Sequence, residues 1–360
     1  MPKKFWLILL VPFSILLTIL AHGNPAATER WFSMGFYRFW TETFGRLFGW
    51  IPFSVSQFLI ILLPIGAVVY IGYTVWCLIA KKGKRKEYSL RFVANTACTL
   101  GILAILFTLG AGLNYGRLEL SDSLGLDVRP SSTQELAALT EELVAEVNRL
   151  APLVARNEHG HMVIAARSYT ALSTQAREIF RNAGENIPLL RGYVPHSKPI
   201  LYSHFMSRLR IAGVFSPFTL EAHVNVHMLD YHIPSTMLHE LAHIRGIMRE
   251  DEANFIAWLV GKDSGNYCFM YSSAMMALSY AANALFRANR EEHSRIMAEL
   301  HYYVRLDRHA NWEYWQQFTG PLAEVSQSLN DAYLRANRQE DGVQSYGRVV
   351  DLMLAYKRGK

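Results

Sequence analysis

Three apolar runs near the start of the chain limit its fold more than any other feature. Residues 58–80 and 92–113 each hold about 22 residues without a charged side chain, enough to cross a hydrocarbon core of about 30 Å at about 1.5 Å per helical residue. Residues 5–21 form a shorter run behind two lysines, which fits either a first span or a signal peptide. Because Ala21-His22-Gly23 makes a poor cleavage site and two further runs follow, we expect the first run to be retained as a span.

Basic residues predict the orientation of these spans. The loop between the second and third runs carries six cations, whereas the longer first loop carries three, partly offset by two glutamates. Since Lys and Arg near span ends are retained in the cytoplasm, we expect the N-terminus inside and a domain of residues 114–360 outside the cytoplasmic membrane. The bilayer is then a partner, and the net charge of +6 implies no nucleic acid. The three cysteines offer no disulfide framework.

The outer domain is expected to be mainly helical with a small β-sheet. Ser132 and Glu135 have capping-box spacing before an amphipathic stretch, which predicts a helix to about Val154. A second helix is expected over 169–182, and the alternation of residues 222–228 predicts a strand. Residues 269–286 are apolar but include several serines and an asparagine, so a buried core helix is favoured over a fourth span.

The segment that carries chemistry is Met237-Leu238-His239-Glu240-Leu241-Ala242-His243, which has the pattern H-E-x-x-H. On a helix, residues four apart share one face, so His239 and His243 can both reach a Zn²⁺ at about 2.0–2.1 Å. Glu240 projects beside them and can act as the general base for a water on the metal. Thr236 or Ser235 is the expected cap of this helix.

The third ligand of the metal can be chosen in two ways. One class of zinc peptidases continues to a third histidine, but Arg249 occupies that position, and arginine has only donors. The other arrangement takes a glutamate from a following helix, with Gly246 ending the first helix. Glu252 is the expected ligand, because Glu252-Ala253-Asn254 resembles the segment that supplies it in glutamate-zincin peptidases, and Glu250 is the second choice. By the same resemblance Asn254 would orient a ligand from the outer shell.

From about Leu113 onward the chain resembles an uncharacterised family of bacterial membrane proteins, classed only as a domain of unknown function, with N-terminal spans and a zinc-peptidase signature. The resemblance implies a membrane anchor of residues 1–113 and a zincin-like domain, but no substrate. The residues that carry it are Asn114-Tyr115-Gly116-Arg117, Ile211-Ala212-Gly213 with Ser216-Pro217-Phe218-Thr219, His239 to His243 through Arg249 to Phe255, and Gly342-Val343-Gln344-Ser345-Tyr346-Gly347-Arg348-Val349-Val350.

Zincins bind an extended peptide along an edge strand, and the strand expected at 222–228 precedes the motif helix as theirs does. His223 and His227 share one face of that strand and are attributed to a solvated face, not to the metal. Zincins also use a Tyr, His or Arg to stabilise the developing oxyanion, for which Tyr346 and Arg348 are the candidates.

The expected function is therefore a membrane-anchored zinc metallopeptidase that hydrolyses peptide bonds of a peptide or protein outside the cytoplasmic membrane, with Glu240 as general base. Two alternatives stay open. The first is a metal-binding sensor or scaffold without turnover, and the second is a helical membrane protein in which H-E-x-x-H is accidental. The intact Glu240 favours catalysis, because a purely structural zinc site has no use for it.

Overall fold

The computed structural model describes residues 3–165, 168–337 and 348–359. The chain divides into two compact units. The first is Met1–Arg117 together with Ser216–Glu221, and the second is Leu118–Phe215 with Ala222–Lys360. The short segment 216–221 therefore belongs to the first unit, although the residues on both sides of it belong to the second. The sequence of the segment does not predict this assignment.

The first unit is built from apolar helices. Three helical segments are long and apolar enough to cross a membrane, namely Trp6–Gly23, Val55–Ala80 and Lys82–Gly110, which confirms the three predicted runs as candidate spans. Their orientation stays a prediction. The third helical segment begins at Lys82, earlier than the apolar run at residue 92, so the basic residues before the run are also helical. The α-helices of this unit are α1 (Leu10–Gly23), α2 (Pro25–Ala27), α3 (Tyr37–Trp40), α4 (Arg46–Trp50), α5 (Val55–Ala80) and α6 (Arg85–Gly110).

The segment 216–221 is held inside the first unit by contacts at the ends of two long helices. The buried carboxylate of Glu221 accepts hydrogen bonds from the backbone N–H groups of Val55 (3.1 Å) and Ser56 (2.8 Å) at the start of α5. An anion at this end complements the helix dipole. Gly110, at the end of α6, lies so close to Pro217 that an added Cβ would meet the Pro217 carbonyl oxygen at 2.1 Å.

The second unit contains most of the helices, and one of them runs through its core. Helix α13 (Tyr267–Ala288) is buried along much of its length and is not among the candidate membrane spans, so the prediction of a core helix is confirmed. The remaining helices are α7 (Leu120–Leu124), α8 (Thr133–Leu150), α9 (Tyr169–Asn186), α10 (Ser203–Arg208), α11 (Ile233–Ile244), α12 (Glu250–Lys262), α14 (Arg290–Met297), α15 (Tyr302–Gln316), α16 (Pro321–Ala336) and α17 (Arg348–Arg358).

Local signals for two of these helices are confirmed. Ser132 and Glu135 form the predicted capping box at the start of α8, although the helix ends at Leu150, short of the expected Val154. Helix α9 begins at Tyr169 as expected and runs one turn further, to Asn186.

A small three-stranded sheet accompanies the helices. Its strands are β1 (Lys198–Pro199), β2 (Gly213–Ser216) and β3 (Glu221–Val224), in the order β1-β3-β2. β1 pairs with β3 in parallel, with Lys198 opposite His223. The predicted strand at 222–228 is thus present but shorter, and it lies in the centre of the sheet and not at its edge. β1 and β2 are the two edge strands of this sheet.

Candidate metal and catalytic site

Helix α11 presents the H-E-x-x-H motif. It begins earlier than expected, with Pro234 in its first turn and His232 as the capping residue. Ser235 and Thr236 are therefore inside the first turn, where both hydroxyls donate to the His232 carbonyl oxygen, and the prediction that one of them caps the helix is wrong.

Gly246 ends the motif helix. Its φ of 79° lies in the left-handed region that glycine adopts without strain. The N–H groups of Gly246 and Ile247 donate to the carbonyl oxygens of His243 and Ala242, closing the helix in the pattern of a glycine C-cap. The chain can therefore turn back to helix α12, as the sequence predicts.

The two imidazoles of the motif point their Nε2 atoms at one another. His239 Nε2 and His243 Nε2 are 3.1 Å apart, and the ring planes are nearly perpendicular. His243 Nδ1 lies 2.7 Å from the Ile247 carbonyl oxygen, so Nδ1 carries the proton in the neutral ring and Nε2 keeps its lone pair for another partner. Metal-binding histidines are held by this kind of outer bond.

Glu250 completes the cluster. One of its carboxylate oxygens is 3.3 Å from His239 Nε2 and the other is 3.6 Å from His243 Nε2. Among the described residues, His239, His243 and Glu250 form the group that could hold a metal ion, with one ligand atom from each within 4.8 Å of the others. The structure therefore places Glu250, the second choice, where Glu252 was expected.

Glu252 has a different set of partners. Its carboxylate accepts a hydrogen bond from the Leu120 N–H (2.7 Å) and another from the Arg249 guanidinium (2.9 Å). The physical reason is helical phase, since residues two apart lie on nearly opposite faces of α12. With Glu250 toward the imidazoles, Glu252 faces away from them. Contrary to the expectation from the sequence, the structure does not bring Glu252 into the group with His239 and His243.

The buried Glu252–Arg249 pair predicts a stability effect that is separate from metal binding. Glu252→Ala removes the carboxylate partner of Arg249, which still donates to the Leu118 carbonyl oxygen, and leaves the Leu120 N–H without its acceptor. We therefore expect a loss of about 2 kcal/mol and a lower melting temperature for the full chain in detergent. Glu299→Ala, at an exposed carboxylate, is the control and should melt like the wild type. Equal melting of both variants would contradict this role.

Asn254 lies one turn after Glu250 on α12, buried, and therefore on the same helical face. Burial disfavours the protonated form of His239, but Glu250, Glu240 and the Asn254 amide outweigh it and raise the His239 pKa. The influence of Asn254 on His239 is compatible with the outer-shell role expected for it, which stays a prediction.

Two of the three groups in the cluster have charge states that suit a cation, whereas the raised pKa of His239 means that this imidazole would release a proton when a metal binds. Burial, with a further contribution from His239, lowers the pKa of His243 to about 4, so this imidazole is neutral near pH 7. Burial opposes ionisation of Glu250, but its bond to His239, the charge of His239 and a smaller contribution from His243 outweigh this and lower the Glu250 pKa to about 2. A neutral imidazole and an ionised carboxylate are the forms that bind a metal.

Glu240 is the buried carboxyl group beside the cluster, only 3% exposed. Burial raises its pKa to about 8, with His239 opposing the shift and Glu250 adding to it. Its Oε2 is buried and makes no hydrogen bond to any residue that the structure describes. A buried acceptor without a partner lowers the stability of the fold. Buried carboxyl groups with a strongly shifted pKa are common at catalytic sites.

Strand β2 passes directly against this carboxyl group. A Cβ added to Gly213 would meet Glu240 Oε1 at 2.3 Å, so only glycine lets the strand run so close. Phe215 on the same strand has its ring 6.1 Å from that of His243. One of the two edge strands, β2, therefore borders the site, in place of the strand that the sequence assigned to 222–228.

Gly213→Ala is expected to push the Glu240 carboxyl group away from its position and lower any hydrolytic activity at least about tenfold, while the three proposed metal ligands keep their places. The measurements are peptide hydrolysis and zinc content of the full chain. Val214→Ala, the next position of the strand, controls for loss of strand stability. Full activity in Gly213→Ala would show that this close approach has no role.

Other residues singled out in the sequence lie elsewhere. His223 is buried, with Nδ1 3.1 Å from the Val214 carbonyl oxygen, so it is a hydrogen-bonded core residue and not part of a solvated face. His227 lies beyond the end of β3.

Of the two residues expected to stabilise the oxyanion, Tyr346 falls outside the described residues. Arg348 forms an ion pair with buried Asp251 at 3.0 Å, the residue that follows Glu250 in the chain.

Tyr280 is a site residue that sequence reasoning missed. Ser273 of α13 donates to the Ala257 carbonyl oxygen of α12 at 3.1 Å, and the short connection between these helices makes them antiparallel. Two turns further along α13 comes Tyr280, and two turns back along α12 comes Glu250. Burial, together with the Glu250 charge, raises the pKa of Tyr280 above its usual value. Only the pairing of the helices reveals this neighbour, which no sequence motif marks.

Comparison with known proteins gives one match. A family model described as Protein of unknown function (DUF3810) matches residues 32–354, nearly the whole chain. No curated protein and no solved structure matches the sequence.

Proposed function

Because this chain belongs to the family of proteins of unknown function DUF3810, no activity follows from its relatives, and we propose from the site itself that it is a membrane-anchored zinc peptidase. Its substrates would be peptides or proteins, with the second unit outside the cytoplasmic membrane. The observation that carries the proposal is the convergence of His239, His243 and Glu250 beside the buried carboxyl group of Glu240.

The donor set suits zinc in both chemistry and spacing. Two imidazole nitrogens and one carboxylate are the ligands of many catalytic zinc sites, which keep a fourth position open. Two ligands of a tetrahedral zinc at about 2.0–2.1 Å are about 3.3 Å apart. The two imidazole Nε2 atoms are 3.1 Å apart, close to that value, and each lies within 3.6 Å of one of the two carboxylate oxygens of Glu250.

Zinc held by these residues would polarise a peptide carbonyl and make a water molecule acidic near pH 7. Glu240, as a carboxylate, would take a proton from the attacking water. It would then deliver this proton to the departing amine, which restores the carboxylate after each cycle. Its pKa of about 8 would fall beside a divalent cation, because a nearby positive charge favours the ionised form.

Strand β2 supports a peptide as the substrate. It is one of the two edge strands of the sheet and borders both Glu240 and His243. An extended peptide can add to such an edge through main-chain hydrogen bonds, largely independent of its side chains. This would place one of its carbonyl groups near the metal cluster.

Tyr280 is a further candidate donor to the oxyanion, beside Tyr346 and Arg348, which stay candidates. A phenol kept protonated by burial can donate a hydrogen bond as negative charge develops, and loss of such a donor costs about 10²-fold or more in kcat. Tyr280→Phe should therefore lower kcat by about 10²-fold with zinc content unchanged. The matched control is Tyr231→Phe, since Tyr231 is also buried and its raised pKa is influenced by Arg308 and Asp307, not by Glu240 or Glu250. Equal rates for the two variants would remove Tyr280 from the mechanism.

The proposed function is tested by incubating the purified full chain in detergent with a peptide mixture of unbiased sequence. Products are identified by mass spectrometry after zinc loading, after chelation and for Glu240→Gln. Cleavage is expected only with zinc and an intact Glu240. One zinc per chain without cleavage of any peptide would favour the alternative, a metal-binding sensor or scaffold.

A further inference from the structure

A cleft in the second unit, apart from the metal cluster, has the residue composition of an anion-binding site. Its volume is about 530 Å³, within the size range of small-ligand pockets. Three of the residues that line it, His204, Arg208 and His227, are basic, and none is acidic. We call this group of three the basic cleft. Glu324, the nearest carboxylate along the chain, is exposed and is not part of the lining.

Helix α10 sets two of these side chains together. His204 and Arg208 are one turn apart and so share one face of the helix. Neither side chain makes a hydrogen bond or an ion pair with any residue in the described part of the chain. An arginine without a carboxylate partner, in a concave site, keeps its planar fork of donors for a ligand oxyanion.

The third basic residue is fixed in place from behind. His227 Nδ1 is 3.0 Å from the Tyr314 hydroxyl group, which in turn is 2.5 Å from Ser207 Oγ. Ser207 also accepts a hydrogen bond from Asn225 at 3.0 Å, and both of these residues are fully buried. The His227 ring stands perpendicular to that of His204, with centroids 4.8 Å apart. This network orients His227 without using its Nε2 atom, which suits a binding group held ready for a ligand.

The other side of the cleft is formed by the start of helix α16. Thr319, Gly320, Pro321, Leu322 and Ala323 all line it. Gly320 caps this helix without a side-chain hydrogen bond, so the first-turn N–H groups add partial positive charge to that of the basic cleft. Phe318 contributes an apolar surface that also contacts both imidazoles.

We infer that the basic cleft binds the oxyanion group of a small ligand, a carboxylate or a phosphate, through Arg208, His204 and His227. This site is separate in its residues from the metal cluster, and it does not depend on the proposed peptidase activity.

The test is calorimetric titration of the full chain in detergent with inorganic phosphate and, separately, with acetate, each against chloride at the same ionic strength. Arg208→Gln and His227→Gln are compared with Arg287→Gln, which removes an exposed arginine of α13. Arg208 is exposed as well, so its replacement does not threaten the fold, and melting temperatures verify this.

The expected result is one site per chain, with affinity weakened at least about tenfold by Arg208→Gln and by His227→Gln and unchanged by Arg287→Gln. Preference for phosphate or for acetate then identifies the ligand source. The inference is overturned if neither anion binds above chloride. It is also overturned if binding survives both cleft substitutions, since the anion would then be held elsewhere, for example at the metal.

Discussion

Glu240→Gln is expected to lower kcat/KM for peptide hydrolysis by about 10³-fold while zinc binding is unchanged. The amide has nearly the same size as the carboxyl group but cannot accept the proton of the attacking water. Loss of a general base typically costs 10²- to 10⁴-fold, and about 10³-fold corresponds to about 4 kcal/mol of barrier. Because Glu240 is not among the three clustered donors, the metal site itself is not altered.

The measurement is a side-by-side assay of zinc-loaded wild type, Glu240→Gln and Glu299→Gln, the last at an exposed carboxylate. Only the first substitution should reduce the rate, and all three proteins should contain equal zinc. A Glu240→Gln protein that hydrolyses peptides at the wild-type rate would exclude Glu240 as the base. Loss of zinc in this variant would instead make it a ligand.

Glu250→Gln is expected to weaken zinc binding by at least about 10²-fold, whereas Glu252→Gln leaves it nearly unchanged. Replacing an outer-shell partner typically costs 10- to 100-fold, and a ligand that contributes charge costs more. The two substitutions are chemically identical and two residues apart in one helix, so they control for each other. They differ in surroundings, because Glu250 faces two imidazoles and Glu252 faces Arg249 and Leu120.

Zinc affinity of the full chain is measured by competition with a chelator of known affinity. Weakening by Glu252→Gln alone would restore the ligand expected from the sequence. Equal weakening by both would show that the start of α12 acts as a unit, so that the position of Glu250 depends on the Glu252 contacts. Unchanged affinity in both variants would remove the third ligand from this helix.

The elements with strong local signals could be predicted from the sequence. The apolar runs appear as three helices of membrane length, and the spacing of Ser132 and Glu135 predicts the capping box of α8. The H-E-x-x-H segment lies on a helix that Gly246 ends. Each of these depends on interactions within a few residues, which is why composition and spacing suffice.

The third donor could not be chosen with the same certainty, because it depends on the phase of a second helix. The prediction favoured Glu252 from its resemblance to a short segment of other peptidases. Once α12 is known to begin at Glu250, the four-residue spacing of Glu250 and Asn254 places both on one face. That face meets the imidazoles. Tertiary contacts help to fix the phase of α12, and one of them is the hydrogen bond from the Leu120 N–H to Glu252.

Tyr280 and Gly213 show a further limit of sequence reasoning. Tyr280 approaches the site through the antiparallel pairing of α12 and α13, and Gly213 through the position of β2 against α11. Both contacts join residues far apart in the chain. His223 was misjudged for a related reason, since strand alternation predicted a solvated face where the structure has a buried one.

The central claim is that this chain holds one zinc ion at His239, His243 and Glu250. It is tested most directly by the zinc content per chain of the full protein, purified in detergent under zinc-replete conditions, beside His243→Ala. The account predicts about one zinc per chain in the wild type and almost none in the variant, with both proteins folded. A folded wild-type chain without zinc, or a variant that retains it, would contradict the account.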